Sequence, residues 1–181
     1  MKEALKNIFA VFRGNIVLGW NRVLRKCRYK NIVRVFKGAD ITVSKGGVFI
    51  IGKGVAIGAR SVCKVRKGAV LRMGAMSSLN SDCKIVCHEK IEIGENTIFG
   101  PNVLVYDHDH LYSAESGVKR KEYVSSEVII GKNCWIGANT VILRGTHIGD
   151  NCLIGAGSIV KGDFPAGSKI IQKRIDARGR T

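Results

Sequence analysis

Proline, aromatic residues and acidic side chains are all scarce in this chain of 181 residues. Only 2 prolines accompany 22 glycines, a balance that is typical of a turn-rich all-β array and argues against a disordered tail. Aromatic residues make up 7%, as expected where aliphatic side chains fill a thin interior. The chain has 14 acidic and 30 basic residues, and the resulting formal charge of +16 predicts attraction to an anionic partner: cofactor phosphates, a lipid surface or nucleic acid.

Long apolar runs and cysteine motifs are also missing. No apolar run reaches the length of a membrane-spanning helix, and Arg13 interrupts the only apolar stretch near the start, with no convincing small-residue cleavage site behind it. Of the 6 cysteines only Cys83 and Cys87 are near neighbours, and no second pair completes a zinc motif. We therefore expect a reduced, cytoplasmic chain without a metal site.

A repeat of six residues organises the chain from residue 130 onward. An aliphatic residue opens each hexad: Ile130, Ile136, Ile142, Ile148, Ile154 and Val160. A small residue follows four positions later in the first five hexads: Cys134, Thr140, Thr146, Cys152 and Ser158. This period fits neither a helix nor an alternating strand, but it fits a triangular solenoid in which each hexad supplies one strand and one corner. We expect the aliphatic and small residues inside, and glycine or asparagine at the corners.

The same pattern occurs earlier in the chain with interruptions. Ile51 and Ile57 each precede glycine in register, the pattern loosens after Val62, and it returns in a shifted phase from Met73. Phase shifts of this kind usually mark corner insertions. The array is therefore expected to begin near Val43 and, with three hexads to a coil, to form about six coils.

The segment 1–37 has a different pattern. Its apolar residues recur at spacings of three and four, which predicts an amphipathic helix: Leu5, Ile8, Phe9, Phe12, Ile16, Trp20, Val23 and Leu24. Gly14 and Gly19 are expected to divide it into two shorter helices. Basic residues lie between the apolar ones, so the helix suits an anionic membrane surface, but it suits equally a cap over the open end of the solenoid. The sequence leaves both roles open.

One long loop insertion, residues 106–127, breaks the array and carries polar residues in place of hexads. A long insertion without its own repeat is usually functional in a compact domain. His108 and His110 lie where it leaves the solenoid, and histidine can act as a general base near neutral pH. We regard both as candidate site residues.

Several motifs follow one another in a specific order: Ile93-Gly94-Glu95-Asn96, Pro101-Asn102-Val103, Asp107-His108, Trp135-Ile136-Gly137 and Ile154-Gly155-Ala156-Gly157-Ser158. This order resembles the hexapeptide-repeat acyltransferases, in the branch of galactoside, maltose and polysaccharide O-acetyltransferases. The resemblance covers about residues 43–165. It implies an all-β fold, a left-handed parallel β-helix over residues 38–165, which follows the amphipathic α-helical segment and precedes a short basic tail over residues 166–181.

The resemblance also implies catalytic roles. His108 falls on the family's catalytic histidine, which takes the proton from the acceptor hydroxyl as it attacks a thioester carbonyl. Asn80 matches an active-site asparagine thirteen residues before the Ile93-Gly94 step. The backbone N–H of Ala138 matches a position suited to stabilise the oxyanion. On the acceptor side we expect His88, Asp107 and His110.

The family is trimeric and binds acetyl-CoA in the cleft between subunits, so the resemblance implies a homotrimer with acetyl-CoA as acyl donor and no metal. The residues expected at the cofactor are Trp135, Gly137, Ala138, Ala156, Lys161, Lys173 and Arg174. Small corners are needed by any such solenoid, and a tryptophan on its flank also serves subunit packing. The family's Gly-x-Pro-Ala segment is missing after Pro165, although the basic character of this region survives.

These features predict an acetyl-CoA-dependent O-acetyltransferase that acts on a sugar hydroxyl in capsule, lipopolysaccharide or exopolysaccharide biosynthesis, in peripheral contact with the inner face of an anionic membrane. The alternative is a non-catalytic, membrane-associated β-helix scaffold. A γ-type carbonic anhydrase uses the same solenoid, but the 4 histidines lack the spacing of its zinc ligands. Nucleic acid is not expected as a partner, since the basic residues are not interleaved with stacking aromatics.

Overall fold

A computed structural model describes residues 2–23, 27–29 and 32–172 of the chain. Within these ranges the chain forms one helix, α1 (Lys2–Val23), and 22 strands. Twenty of the strands are parallel and wind into a solenoid, while the other two form an antiparallel hairpin.

The parallel strands follow one another as successive coils of three. The first three coils consist of β1 (Cys27–Tyr29), β2 (Arg34–Val35), β3 (Asp40–Val43), β4 (Val48–Ile51), β5 (Ala56–Ile57), β6 (Val62–Val65), β7 (Val70–Met73), β8 (Ser78–Leu79) and β9 (Lys84–Cys87). The fourth coil, which carries the hairpin, consists of β10 (Lys90–Ile93), β11 (Ile98–Phe99), β12 (Leu104–Tyr106), and the hairpin strands β13 (His108–Ser113) and β14 (Gly117–Ser125). The remaining strands are β15 (Val128–Ile130), β16 (Trp135–Ile136), β17 (Val141–Ile142), β18 (His147–Ile148), β19 (Leu153–Ile154), β20 (Ile159–Val160), β21 (Asp163–Phe164) and β22 (Lys169–Ile170).

Strands one coil apart pair in parallel and build three sheets, one for each side of a triangular prism. The first sheet has the order β1-β4-β7-β10-β15-β18-β21, the second β2-β5-β8-β11-β16-β19-β22 and the third β3-β6-β9-β12-β17-β20. Six complete coils are thus followed by two strands of a seventh. The structure confirms the left-handed parallel β-helix of about six coils with a helix at its N-terminal end.

Each sheet meets the next at a corner of the prism. We call the turn between the second and third sheets the second corner, and the turn from the third sheet to the first sheet of the following coil the third corner. Asn80 and Ala138 lie at the second corner, whereas His88 and Asp107 lie at the third. The residues of interest for function are therefore divided between two edges of the prism.

The hexad columns fill the interior as expected. The six aliphatic residues that open the hexads from 130 to 160 are each at most 2% exposed. In the column of small residues, Thr140 donates its hydroxyl to the carbonyl oxygen of Gly137 at 2.8 Å, so the hydroxyl is satisfied inside the prism. Asn139 at the corner has a φ of 58°, a left-handed conformation that asparagine tolerates well. These observations confirm the roles predicted for the aliphatic, small and corner positions.

The first coils are longer than three hexads. Cys27 pairs with Phe49 and Phe49 with Leu71, so each of these coils takes 22 residues, whereas Ile129 pairs with His147 in a coil of 18. The extra residues lie in four-residue strands on the first and third sheets, where later coils have two-residue strands. Longer strands, and not corner insertions, explain the loosened pattern. The expected start of the array near residue 43 is wrong, since the parallel strands begin at residue 27.

All six cysteines are free and buried. Complete burial raises the pKa of the Cys63 thiol to about 12. Burial also raises the pKa of Cys83 and of Cys134. The cysteines therefore act as small apolar residues of the interior.

Helix α1 is uninterrupted and packs on β1 and β2, so the expected break at Gly14 and Gly19 is wrong. Gly14 permits close packing, because a Cβ at this position would lie 2.4 Å from the carbonyl oxygen of Val33. On the same side of the helix Ala10 is 3% and Leu18 0% exposed. One face of α1 thus packs against the first coil. Three further positions of the predicted stripe lie outside the described residues, wholly or in their side chains: Trp20, Val23 and Leu24.

We expect Gly14→Ala to destabilise the protein, although alanine is the better helix former by about 1 kcal/mol. The added methyl group meets the Val33 carbonyl, so the helix and the first coil must move apart. The free energy of unfolding, measured by urea denaturation, should fall by about 1–3 kcal/mol. Asn15→Ala, at the exposed neighbouring position, is the control and should raise it slightly. Equal stability of the two variants would contradict this packing role.

Candidate active site

Asp107 anchors the third corner where the insertion leaves the solenoid. Its side chain is fully buried, and its carboxylate accepts hydrogen bonds from the backbone N–H groups of His88, Glu89 and Lys90 at 2.8, 2.8 and 2.9 Å. His88 and Glu89 form the third corner of the preceding coil and Lys90 begins β10, so one carboxylate ties the two successive third corners together. Such bonds stabilise a carboxylate that has lost its water. The carboxylate is enclosed within the chain, and contact of Asp107 with an acceptor remains a prediction.

His108 follows Asp107 directly, and its side chain is 13% exposed. Its Nδ1 lies 3.2 Å from Oδ1 of Asp107. An ionised carboxylate only accepts hydrogen bonds, so this contact favours a proton on Nδ1 and leaves the lone pair of the neutral ring on Nε2. The ring of His88 stacks on that of His108, with centroids 3.6 Å apart. The orientation of the His108 ring is thus set by the Asp107 carboxylate on one edge and by the His88 ring on one face.

His88 is the second member of this stack and lies partly buried at the preceding third corner. The pKa of His88 is lowered to about 4, first by burial and second because two stacked rings would repel each other if both carried a proton. The His88 side chain is therefore neutral at neutral pH. A neutral ring beside His108 adds packing without adding charge.

The insertion is a two-stranded hairpin and not an irregular loop. Its strands β13 and β14 pair antiparallel, with His110 opposite Tyr123 and a shift in register after His110. The ring centroid of Tyr123 lies 4.4, 5.5 and 4.6 Å from those of His88, His108 and His110. Tyr123 is a candidate site residue that the hexad pattern did not reveal. The Ser116-Gly117 step, a turn signal between two runs with aromatic and β-branched residues, could have predicted this pairing.

A groove at the second corner collects four of the residues expected at the cofactor: Trp135, Gly137, Ala138 and Ala156. Its volume is about 380 Å³, and Trp135 in its wall is 54% exposed. Gly137 itself is buried, and a Cβ on it would lie 2.5 Å from the backbone nitrogen of Ala156 in the next coil. Coil stacking therefore requires this glycine whether or not a ligand lies in the groove.

A larger cavity of about 930 Å³ adjoins this groove and contains Asn80. The two spaces share Gly100 and Trp135, so they form a continuous depression along the prism. The cavity extends to helix α1 and the first coil, whose cations and aromatic rings line it: Lys6, Phe9, Arg13, Phe36 and Lys37. None of the described residues that line the cavity is acidic.

The expected site residues form two groups within one chain. His88, His108 and His110 gather at the third corner, whereas Asn80 and the four groove residues lie along the second sheet and second corner. The third sheet separates the two groups. Lys161 follows β20 at the third corner, apart from the groove. Lys173 and Arg174 lie outside the described residues.

Membrane-spanning helices and metal-binding clusters are both missing from the described part of the chain. The one helix there, α1, is too polar to cross a bilayer. Within residues 2–23, 27–29 and 32–172, no three His, Cys, Asp or Glu side chains converge as metal ligands do.

We expect Asp107→Asn to lower the free energy of unfolding by about 3 kcal/mol, because an amide accepts fewer of the three N–H bonds and brings a donor against them. Urea denaturation measures this loss. The control is Asp109→Asn, whose carboxylate is 51% exposed and pairs with Arg144. That change should cost less than about 1 kcal/mol. Similar losses in both variants would refute the anchoring role of Asp107.

The lowered pKa of His88 makes stability depend on pH. Between pH 6.5, the ordinary value, and about pH 4, the unfolded chain binds a proton at His88 that the folded protein does not bind. The free energy of unfolding should therefore decrease as the pH falls through this range. His88→Gln should show a smaller decrease in urea denaturation at about pH 7 and about pH 5. An identical decrease in both proteins would contradict the assignment.

Comparisons with known proteins agree with this architecture. A family model described as the hexapeptide repeat of succinyl-transferase matches residues 48–76 and 127–161. Nodulation protein L of Rhizobium meliloti (strain 1021) is 38% identical over 112 residues, which are 62% of this chain and 61% of that protein. The putative lipopolysaccharide biosynthesis O-acetyl transferase WbbJ of Escherichia coli (strain K12) is 31% identical over 100 residues, or 51% of each chain. This chain thus spans less than two thirds of either relative.

A solved structure has the same fold. A single-residue mutant of AntD, an N-acyltransferase from Bacillus cereus, in complex with dTDP and coenzyme A, superposes with a TM-score of 0.65 at 23% identity, over 77% of this chain and 74% of that one. The repeat, the coiled architecture and the named relatives agree with one another. On this evidence the chain carries hexapeptide repeats, shares their coiled fold, and is similar in sequence to acetyltransferases that contain them.

Proposed function

We propose that the protein is an acetyl-CoA-dependent O-acetyltransferase that acts on a sugar hydroxyl in capsule, lipopolysaccharide or exopolysaccharide biosynthesis. The observation that carries this proposal is the pair formed by the enclosed Asp107 carboxylate and the oriented ring of His108. The similarity to an O-acetyl transferase of lipopolysaccharide biosynthesis supports the sugar acceptor.

In this proposal His108 is the general base. Its Nε2 takes the proton of the acceptor hydroxyl while the hydroxyl oxygen attacks the thioester carbonyl. A new C–O bond forms, the C–S bond breaks, and the proton passes from the imidazole to the departing thiolate of coenzyme A. The N–H of Ala138 stabilises the oxyanion of the intermediate. Asp107 keeps the ring in the required tautomer and stabilises the imidazolium that forms.

The active site is assembled from two subunits of a homotrimer. Within one chain, His108 lies at the third corner and Asn80 and Ala138 at the second, with the third sheet between them. Prisms packed side by side can set the third corner of one subunit against the second corner of its neighbour. The base of one subunit then meets the asparagine and the oxyanion donor of another.

The depression along the prism supplies a place for each substrate. The pantetheine arm of acetyl-CoA fits the groove of about 380 Å³ beside Ala138 and Ala156, and the sugar acceptor fits the cavity beside Asn80. Trp135 lines both spaces, so the reacting ends of the two ligands meet beside it.

The enzyme acts in the cytoplasm, at the inner face of an anionic membrane, where envelope glycans are assembled on their carriers.

The test follows release of the coenzyme A thiol with the purified chain, acetyl-CoA and a panel of candidate glycans. We expect thiol release that depends on a glycan, and a fall in kcat of about 100-fold to 10,000-fold in His108→Ala. His147→Ala is the matched control, because His147 lies on the first sheet with 46% of its side chain exposed and should retain most activity.

Two results would count against the proposal. Undiminished turnover in His108→Ala would remove this residue from the role of base while leaving the transferase intact. Absence of thiol release with every glycan, in a protein that also fails to bind coenzyme A in calorimetry, would remove the transferase activity itself.

A further inference from the structure

Helix α1 has two apolar faces on opposite sides. The face that packs on the first coil uses Ala10, Gly14 and Leu18. The opposite face carries five large side chains that are 54–65% exposed, which we call the apolar stripe: Leu5, Ile8, Phe9, Phe12 and Ile16. At 100° per residue the two faces are centred about 180° apart on the helix. The residues of the apolar stripe therefore remain mostly exposed, and the helix covers the first coil with its other face.

We propose that the apolar stripe binds the surface of an anionic phospholipid bilayer, with α1 lying in the plane of the headgroups. Its residues span about 16 Å at the helical rise of 1.5 Å per residue, so all five can enter one interface together. Burial of each large apolar side chain is favourable by about 1.5–3 kcal/mol. The helix is not apolar enough to cross the bilayer, which leaves binding parallel to the surface.

The charge of this part of the sequence identifies the occupant. Residues 1–37 contain 10 lysines and arginines and a single glutamate. Lys6 and Arg13 are two helical turns apart on one side of α1, next to the apolar stripe, where both line the cavity. Anionic headgroups attract such a segment with about 1 kcal/mol per cation near the surface. A second copy packed on the apolar stripe through the same face would bring its Lys6 and Arg13 against those of the first copy, a local repulsion that an anionic lipid surface does not cause.

Binding of α1 to a bilayer would also place the cavity that contains Asn80 next to the membrane surface. Phe9 belongs to the apolar stripe and lines the cavity that contains Asn80. A bilayer in contact with the apolar stripe therefore lies beside the cavity. This contact stands independently of the proposed acetyl transfer, since it depends only on the helix and its charge.

The test measures flotation of the full chain with vesicles. We expect binding to phosphatidylcholine vesicles that contain about one third phosphatidylglycerol, weaker binding to pure phosphatidylcholine, and further weakening as the salt rises from about 0.1 M to about 0.5 M. The double variant Ile8→Gln/Phe12→Gln should bind the anionic vesicles at least about tenfold more weakly. Both side chains are exposed, at 64% and 65%, so the fold should survive.

The matched control is Tyr112→Gln/Val118→Gln, whose side chains are 66% and 58% exposed on the hairpin. This variant should bind anionic vesicles as the unchanged chain does. Circular dichroism checks the helix in each protein, and Leu5→Gln/Ile16→Gln is a second stripe variant should the first fail to fold.

Three outcomes would overturn the proposal. The first is no flotation of the unchanged chain with anionic vesicles. The second is equal binding by the stripe variants and the hairpin control. The third is a fall in solution mass of a stripe variant in sedimentation, with vesicle binding unaffected, which would identify the apolar stripe as a contact between copies of the chain.

Discussion

Direct stacking of backbone on backbone is the constraint on which this structure depends. A Cβ on Gly94 would lie 2.4 Å from the carbonyl carbon of Gly131, and one on Gly100 would lie 2.6 Å from the nitrogen of Ala138. No residue fits between two coils at these corners, so additional chain must leave the prism outward. The hairpin does so at the third corner, and the buried carboxylate of Asp107 secures that exit by binding the corner of the preceding coil.

The sequence predicts the architecture well where a coil contains three hexads. Around Ile130 and Ile142 each aliphatic position, small position and corner lies where the period places it. The pattern fails in the first coils, because strands of four residues remove the period of six. It also fails at Gly14, where helix propensity predicts a break but contact with Val33 requires a residue without a side chain. Propensity describes the isolated segment, whereas this position is determined by its neighbour in space.

The sequence allowed several residues of the candidate site to be predicted, but it did not allow their arrangement in space to be predicted. The resemblance gives His108 and Asn80, but no local pattern shows that Asp107 accepts the N–H groups of residues seventeen to nineteen positions earlier. Tyr123 joins the histidines only because the insertion folds back as a hairpin. The separation of His108 from Asn80 by a whole sheet is likewise a property of the prism. A rigid solenoid holds its corners apart, and this rigidity is the reason for proposing a site shared between subunits.

The burial of the cysteine thiols determines whether a cysteine of this chain can carry an acyl group. All six cysteines are buried, and burial raises the pKa of Cys63, Cys83 and Cys134. Thioester exchange requires an accessible thiolate, and these side chains provide none. Under the proposed function, the acyl group therefore passes directly from the carrier thiol to the acceptor hydroxyl, without an S-acyl intermediate on a cysteine of this chain.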